Sequence, residues 1–201
     1  AEDGTAEGTA ADHGLSAVID PDLAEAQTRQ WLAEFVVGLN LCPFARPLLD
    51  SEQLRITVCG EASVAALQRR LLEELDLIQS APESDIATSL LVFTGALADF
   101  DNYLDFLALA QALLADAGLE GLVQLAIFHP DYRFEGEADD SPSHFSNRSP
   151  HPTIHLIRED MLERVLVDFP DPEGIPGRNI ATLEELGVEE LERRWRAIRR
   201  F

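Results

Sequence analysis

Lysine is missing from this chain, and all fifteen basic residues are arginine. That absence excludes a Schiff-base lysine, a P-loop lysine and a kinase-type phosphate lysine. Cysteine is scarce as well. Cys42 and Cys59 alone cannot build a disulfide framework, and they predict a reducing, cytoplasmic setting. No apolar run approaches the roughly 18–20 residues of a membrane span. The stretch Ala1–Asp22 contains no arginine and has neither the charged start nor the apolar core of a signal peptide. Positive charge is short overall, with 15 basic against 37 acidic residues and a net charge of −22. That balance disfavours nucleic acid and anionic membranes as partners. The Gly-x-Ser-x-Gly elbow, the dinucleotide Gly-x-Gly-x-x-Gly and the metal-binding His-Glu-x-x-His and Cys-x-x-Cys patterns are also missing.

What is present divides into an acidic tail over 1–21, expected to be disordered, and one α/β domain over 22–201. Asp20 and Pro21 are an N-cap and first helical residue. Trp31, Leu32, Phe35, Val36 and Leu39 then continue one helical face to a stop at Gly38. Strands are expected at Leu54–Cys59, Thr88–Thr94, Leu122–Phe128 and Thr153–Ile157. Helices at Ala62–Ile78 and Phe100–Ala117 connect the first three, the second capped by Asp99. Helix follows at Glu159–Val167, and a Thr182/Glu185 capping box opens a C-terminal helix. Strand–helix–strand–helix–strand implies three parallel strands with right-handed crossovers. The fourth strand follows a loop and returns antiparallel. The expected fold is therefore a small four-stranded mixed sheet with flanking N- and C-terminal helices.

Chemistry concentrates in the thirty residues His129–Arg158, which hold four of the five histidines. A long polar loop in a compact domain is functional or disordered, and its fixed prolines argue for order. His129, Asp131, Asp139, Asp140, His144, His151 and His155 are suitable ligand types for zinc or iron. However, His151 and His155 lie in an extended segment, roughly 13 Å apart, so neither a metal nor another cofactor is expected. Cys42 sits in the loop Asn40-Leu-Cys-Pro-Phe44, where a histidine or a helix start can lower a thiol pKa. It is a candidate nucleophile, against the alternative of a small packing residue. Cys59, inside a strand, reads as structural. Asn147, Arg148 and Ser149 can hold a carboxylate, phosphate or carbonyl, or serve only as turn residues.

Three motifs, Trp31…Phe35-Val-Val-Gly-Leu-Asn-Leu-Cys-Pro-Phe-Ala45, Phe128-His-Pro-Asp-Tyr132 and Asn147-Arg-Ser-Pro-His-Pro-Thr-Ile-His-Leu-Ile-Arg-Glu159, together resemble the DUF1415 family of uncharacterised bacterial and plant proteins. The resemblance covers roughly residues 25–190. It implies no activity, but it draws the Cys42 loop and the histidine-rich region together as the family's recognisable parts. At the position of His151 the family often carries an aromatic.

The resulting expectation is a cytoplasmic cysteine-nucleophile hydrolase or transferase. Cys42 would attack, His155 or His129 would act as base, and Asn147, Arg148, Ser149 and Asn40 would bind a small anionic or carbonyl-bearing substrate. The alternatives are a non-enzymatic domain binding a small anion or metabolite, and a metal-dependent enzyme.

Overall fold

The computed structural model describes residues 19–167 and 169–200; the expected disordered tail lies almost wholly outside them. Helix α1 (Pro21–Trp31) begins as its sequence predicts, with the Asp20 carboxylate accepting the Asp22 N–H and Pro21 in the first turn. The α-helical pattern ends earlier than expected. Leu32–Val37 continues as a π-helix, a wider winding that recurs at functional sites. The N–H groups of Leu41 and Cys42 both return to the Val36 carbonyl, at 2.9 and 3.3 Å.

Gly38 does not act as a left-handed stop, because its φ is −63°. Glycine is needed for a different reason: a Cβ there would lie 2.4 Å from the Glu34 carbonyl oxygen. The left-handed residue is Asn40, with φ 54°, which asparagine tolerates better than most side chains.

A short helix α2 (Arg46–Leu49) leads to strand β1 (Leu54–Cys59). Helix α3 (Val64–Ser80), capped by Ser63, crosses to β2 (Thr88–Phe93). Helix α4 (Phe100–Asp116), capped by Asp99 as expected, leads to β3 (Val123–Phe128). Strand β4 (Thr153–Arg158) passes directly into α5 (Glu159–Val167).

The sheet is mixed and four-stranded, in the order β1-β2-β4-β3. Only β1 and β2 form a parallel pair, and β4 runs antiparallel to both β2 and β3. The three crossover-linked strands do point the same way, but β3 is not laid beside β2. Helix α4 carries the chain past one vacant position, and β4 returns into it. The apolar composition of β4 suits that interior position, where both edges are paired.

Alternation along the strands divides the core into two layers. Leu91, Phe93, Ile154 and Leu156 face α3 and α4, together with Leu71, Tyr103 and Phe106. Leu90 and Val92 face the other way, against Trp31, Phe35, Leu183 and Trp195. The second layer includes α6 (Ile175–Arg199), which is broken at Gly187, φ 74°. Thr182 lies inside this helix and donates its hydroxyl to the Arg178 carbonyl, so the expected capping box does not form. The helix begins seven residues earlier, after the turn at Pro172–Gly174 and with Pro176 in its own first turn. Its arginine-rich end is a solvated face, with Arg193 and Arg194 paired to Glu190.

The long polar loop is ordered by burial of one aromatic. A 3-10 turn at Pro142–Ser146 drives Phe145 into the second layer, stacked on Phe35 at 6.2 Å and edge-on to Trp195 at 6.0 Å.

Candidate functional site

Alternation along β4 decides which histidine shares a cavity with the cysteine. Ile154 and Leu156 point toward α3 and α4, so His155 between them points to the opposite face. There it lines a cavity of about 210 Å³ together with Cys42. The floor is the sheet itself: Leu54 of β1, Thr88 and Leu90 of β2, His155 and Ile157 of β4, and Ala126 and Phe128 of β3. Trp31, Leu32, Val36 and Val37 of α1 and the π-helix form one wall. Phe44, Ala45, Leu48 and Leu49 and, on α5, Met161 and Leu162 close the remainder. Among the described residues no charged side chain lines this space.

His155 is held by Thr88. The Thr88 hydroxyl lies 2.5 Å from His155 Nε2 and 2.9 Å from the Leu156 carbonyl. A carbonyl can only accept, and a hydroxyl has one proton. Thr88 therefore donates to Leu156 and accepts from His155, which fixes the proton on Nε2. Nδ1 is left as the basic atom, and among the described residues it has no hydrogen-bond partner. Burial lowers the His155 pKa to about 4, so the ring is neutral at pH 7.

Cys42 is half-buried and unpaired. Burial raises its pKa, opposed in part by the nearby backbone N–H groups of Phe44 and Ala45, the latter donating to the Cys42 carbonyl at 3.2 Å. The thiol is thus protonated at rest. Cys59 differs: it is fully buried, donates to Glu61 at 3.0 Å, and is pushed up to about 11.

His129 is on the other face of the sheet from this cavity. Its ring is packed between Phe100 and Tyr103, with centroids 5.1 Å away in each case. Nε2 donates to the Leu97 carbonyl at 3.0 Å and Nδ1 accepts the Asp131 N–H at 3.0 Å. Both nitrogens are occupied, and burial lowers its pKa. His144 is also fully engaged, accepting from Phe134 N–H and donating to the Ala138 carbonyl. His151 is bonded to Gln27 at 2.8 Å. The histidines are spent one at a time, and among the described residues no three His, Cys, Asp or Glu side chains converge on a point.

The residues expected to bind substrate are dispersed. Asn147 donates to the Ile127 carbonyl and Ser149 to the His151 carbonyl, which are loop-bracing bonds. Asn40 is exposed at its left-handed turn. Arg148 donates to the Tyr132 carbonyl at 3.3 Å and lies 4.7 Å over the Phe145 ring. It borders an open cleft that also carries Arg133 and the carboxylates of Asp99, Asp101, Asp131 and Asp139. Four acidic groups around two arginines do not favour an anion there.

Sequence reasoning paired Cys42 with the histidine region but missed Thr88 and the cavity walls on the π-helix and α5. Thr88 carries no local signal; its role depends on the register that sets β2 beside β4.

These features describe an α/β domain in which a helical layer encloses an apolar cavity on one sheet face. The DUF1415 family, described as proteins of unknown function, matches residues 23–193, and the chain belongs to it. Comparison with curated proteins and with solved structures returns no match. Among the described residues no helix is long and apolar enough to cross a membrane.

Proposed function

We propose that this protein is a thiol-dependent hydrolase or acyl transferase acting on a small carbonyl compound in the Cys42–His155 cavity. The observation that carries the reading is the shared cavity itself: a thiol and an imidazole with a free basic nitrogen line one partly open apolar space. In the first step His155 Nδ1 takes the Cys42 proton, directly or through one water, as the sulfur attacks the carbonyl carbon. Collapse expels the leaving group, which takes the proton back from His155, and leaves an acyl thioester on Cys42. Water, or an acceptor in a transfer reaction, then releases the acyl group and restores the thiol. Both cysteines are free, which suits the reducing cytoplasm such chemistry needs. Of the two substrate classes, the carbonyl compound fits better than an anion, because no arginine lines the cavity among the described residues. The reading requires neither a cofactor nor a nucleic-acid or membrane partner.

The test is acylation by an activated ester such as p-nitrophenyl butyrate. The expected result is an acyl adduct on the Cys42 peptide by mass spectrometry, with catalytic release of p-nitrophenolate. Cys42→Ser should abolish the adduct, and His155→Ala should slow its formation by about 10²-fold or more, in line with loss of a general base. A folded wild-type protein that never acylates at Cys42 would refute the proposal. A second reading, a small-metabolite-binding domain without turnover, is favoured by one observation. Cys42 is raised and His155 lowered by the same burial, so no thiolate–imidazolium pair is pre-formed.

A further inference from the structure

We infer that the Cys42–His155 cavity selects an apolar acyl group of about six to nine non-hydrogen atoms, presented as an uncharged ester, amide or thioester, and rejects the free carboxylate. This deepens the reading above and rests on it only for the location of the reacting carbonyl; the selectivity itself is a binding property.

Size is set by the volume. A closed apolar cavity of about 150 Å³ accommodates benzene, with six non-hydrogen atoms. The present cavity, about 210 Å³, takes correspondingly more. Shape follows from the floor. Leu54 on β1 and Ala126 on β3 are both lining residues and lie on the outermost strands of the four. From His155 on β4 to Leu54 on β1 there are two strand spacings, about 10 Å. A chain lying across the strands, with its carbonyl end at Cys42 and His155, fits that floor better than a compact branched group.

Charge selection follows from what the walls hold. Among the described residues the polar side chains are the Cys42 thiol, the Thr88 hydroxyl, the His155 ring and the Trp31 indole, and no cation faces the space. An uncharged carbonyl derivative keeps its polar end near these groups while its chain displaces water from apolar walls. A carboxylate of equal length would be stripped of water with no positive partner. The discrimination also gives the reaction a direction. Hydrolysis converts the uncharged substrate and one water into a carboxylic acid that ionises at neutral pH, and the ion is then driven from the cavity.

The experiment titrates Cys42→Ala protein, which cannot acylate, with straight-chain primary amides of four to ten carbons. Binding is followed by tryptophan fluorescence, Trp31 being in the wall, and the matching carboxylates are titrated at pH 7.5. Affinity is expected to rise by up to about fourfold per methylene, equivalent to about 0.8 kcal/mol per buried methylene, and to stop rising near seven or eight carbons. Each carboxylate should bind at least tenfold more weakly than its amide. Ala126→Phe, which fills the floor beside His155, should lower affinity at least tenfold. If that variant does not melt cooperatively, Leu162→Trp fills the same space from α5. Affinities independent of chain length, carboxylates binding as well as amides, or unimpaired binding by a folded filled variant would each overturn the inference. Selective amide binding without acylation of the wild-type protein would sink the hydrolase reading and leave this one standing. Acylation by acetyl esters without chain-length preference would do the reverse.

Discussion

Thr88 accepts a hydrogen bond from His155 Nε2 because its own proton is already committed to the Leu156 carbonyl. One strand hydroxyl thereby decides which histidine nitrogen is basic. The pairing of β2 with β4, Thr88 opposite Ile157 and Leu90 opposite His155, brings the two side chains to the same face.

Replacing Thr88 with valine keeps its shape and removes the acceptor. Nitrogen NMR of labelled histidine should show His155 protonated on Nε2 in the wild type and a mixture of tautomers in Thr88→Val. Cys42 acylation should slow by at least tenfold, and Thr88→Ser should restore both signals. Unchanged tautomer populations in Thr88→Val would show that Thr88 does not set the proton's position.

Cys42 and Cys59 should be separable by alkylation. Cys42 is half-buried while Cys59 is fully buried beside Glu61. Iodoacetamide should therefore modify Cys42 first in the native protein, measured by peptide mass spectrometry. Because burial raises the Cys42 pKa, its rate should keep climbing above pH 9 and not level off near neutrality. A plateau by pH 7 would mean that the thiol is already ionised.

Acid should weaken the fold well above the carboxylate range. His151 and His155 are each lowered by burial from an ordinary value of 6.5 to about 4, and Arg199 adds to the effect on His151. Between those pH values the unfolded chain binds protons that the native chain refuses. The stabilising contribution is complete above pH 6.5 and is lost as pH falls toward 4. Two such groups imply a loss of about 4 kcal/mol between pH 7.5 and 5. Glu74 adds to the acid loss at lower pH. Burial raises it, but Arg55, Ser89 and Thr57 together outweigh that and hold it below its usual value. Urea unfolding at pH 7.5, 6 and 5 reads the slope. Equal stability at all three would contradict the burial of these rings.

The π-helical wall depends on Gly38. A Cβ at that position would meet the Glu34 carbonyl oxygen at 2.4 Å, and backbone cannot step aside as a flexible side chain does. Gly38→Ala should cost about 2–4 kcal/mol of stability by denaturant unfolding and weaken binding in the adjacent cavity. Gly118→Ala, on the far side of α4 at φ 69° with nothing within 4 Å, is the comparison. It should cost only about 1–2 kcal/mol through its left-handed backbone and leave the cavity unaffected.

Local chemistry was a good guide where a residue's neighbours in sequence are also its partners. Asp20 and Asp99 each accept a hydrogen bond from an N–H two or three residues ahead, so their helix starts were legible, whereas α3, capped by Ser63, begins two residues beyond the expected start at Ala62. Local reasoning misled at Thr182, where the pattern of a cap falls inside a helix that starts behind a proline upstream. At Gly38 it found the place, since the helical segment ends at Val37 with Gly38 as its C-cap, but not the reason, which is the close approach to the Glu34 carbonyl.

The sequence by itself determined the alternating α/β elements, the exclusion of lysine chemistry, and the presence of a cysteine-bearing loop at Cys42 and a histidine-rich segment at His129–Arg158. All of these follow from composition and short-range periodicity. Tertiary structure alone decided that β4 enters between β2 and β3. That entry turns His155 into the cavity that Cys42 also lines, while His129 is buried with Phe100 and Tyr103 on the opposite face. It also decided that Asn147 and Ser149 brace a loop. The reason is physical: strand order and facing depend on which long-range pairing buries the most apolar surface with every backbone group bonded, and no local segment carries that information.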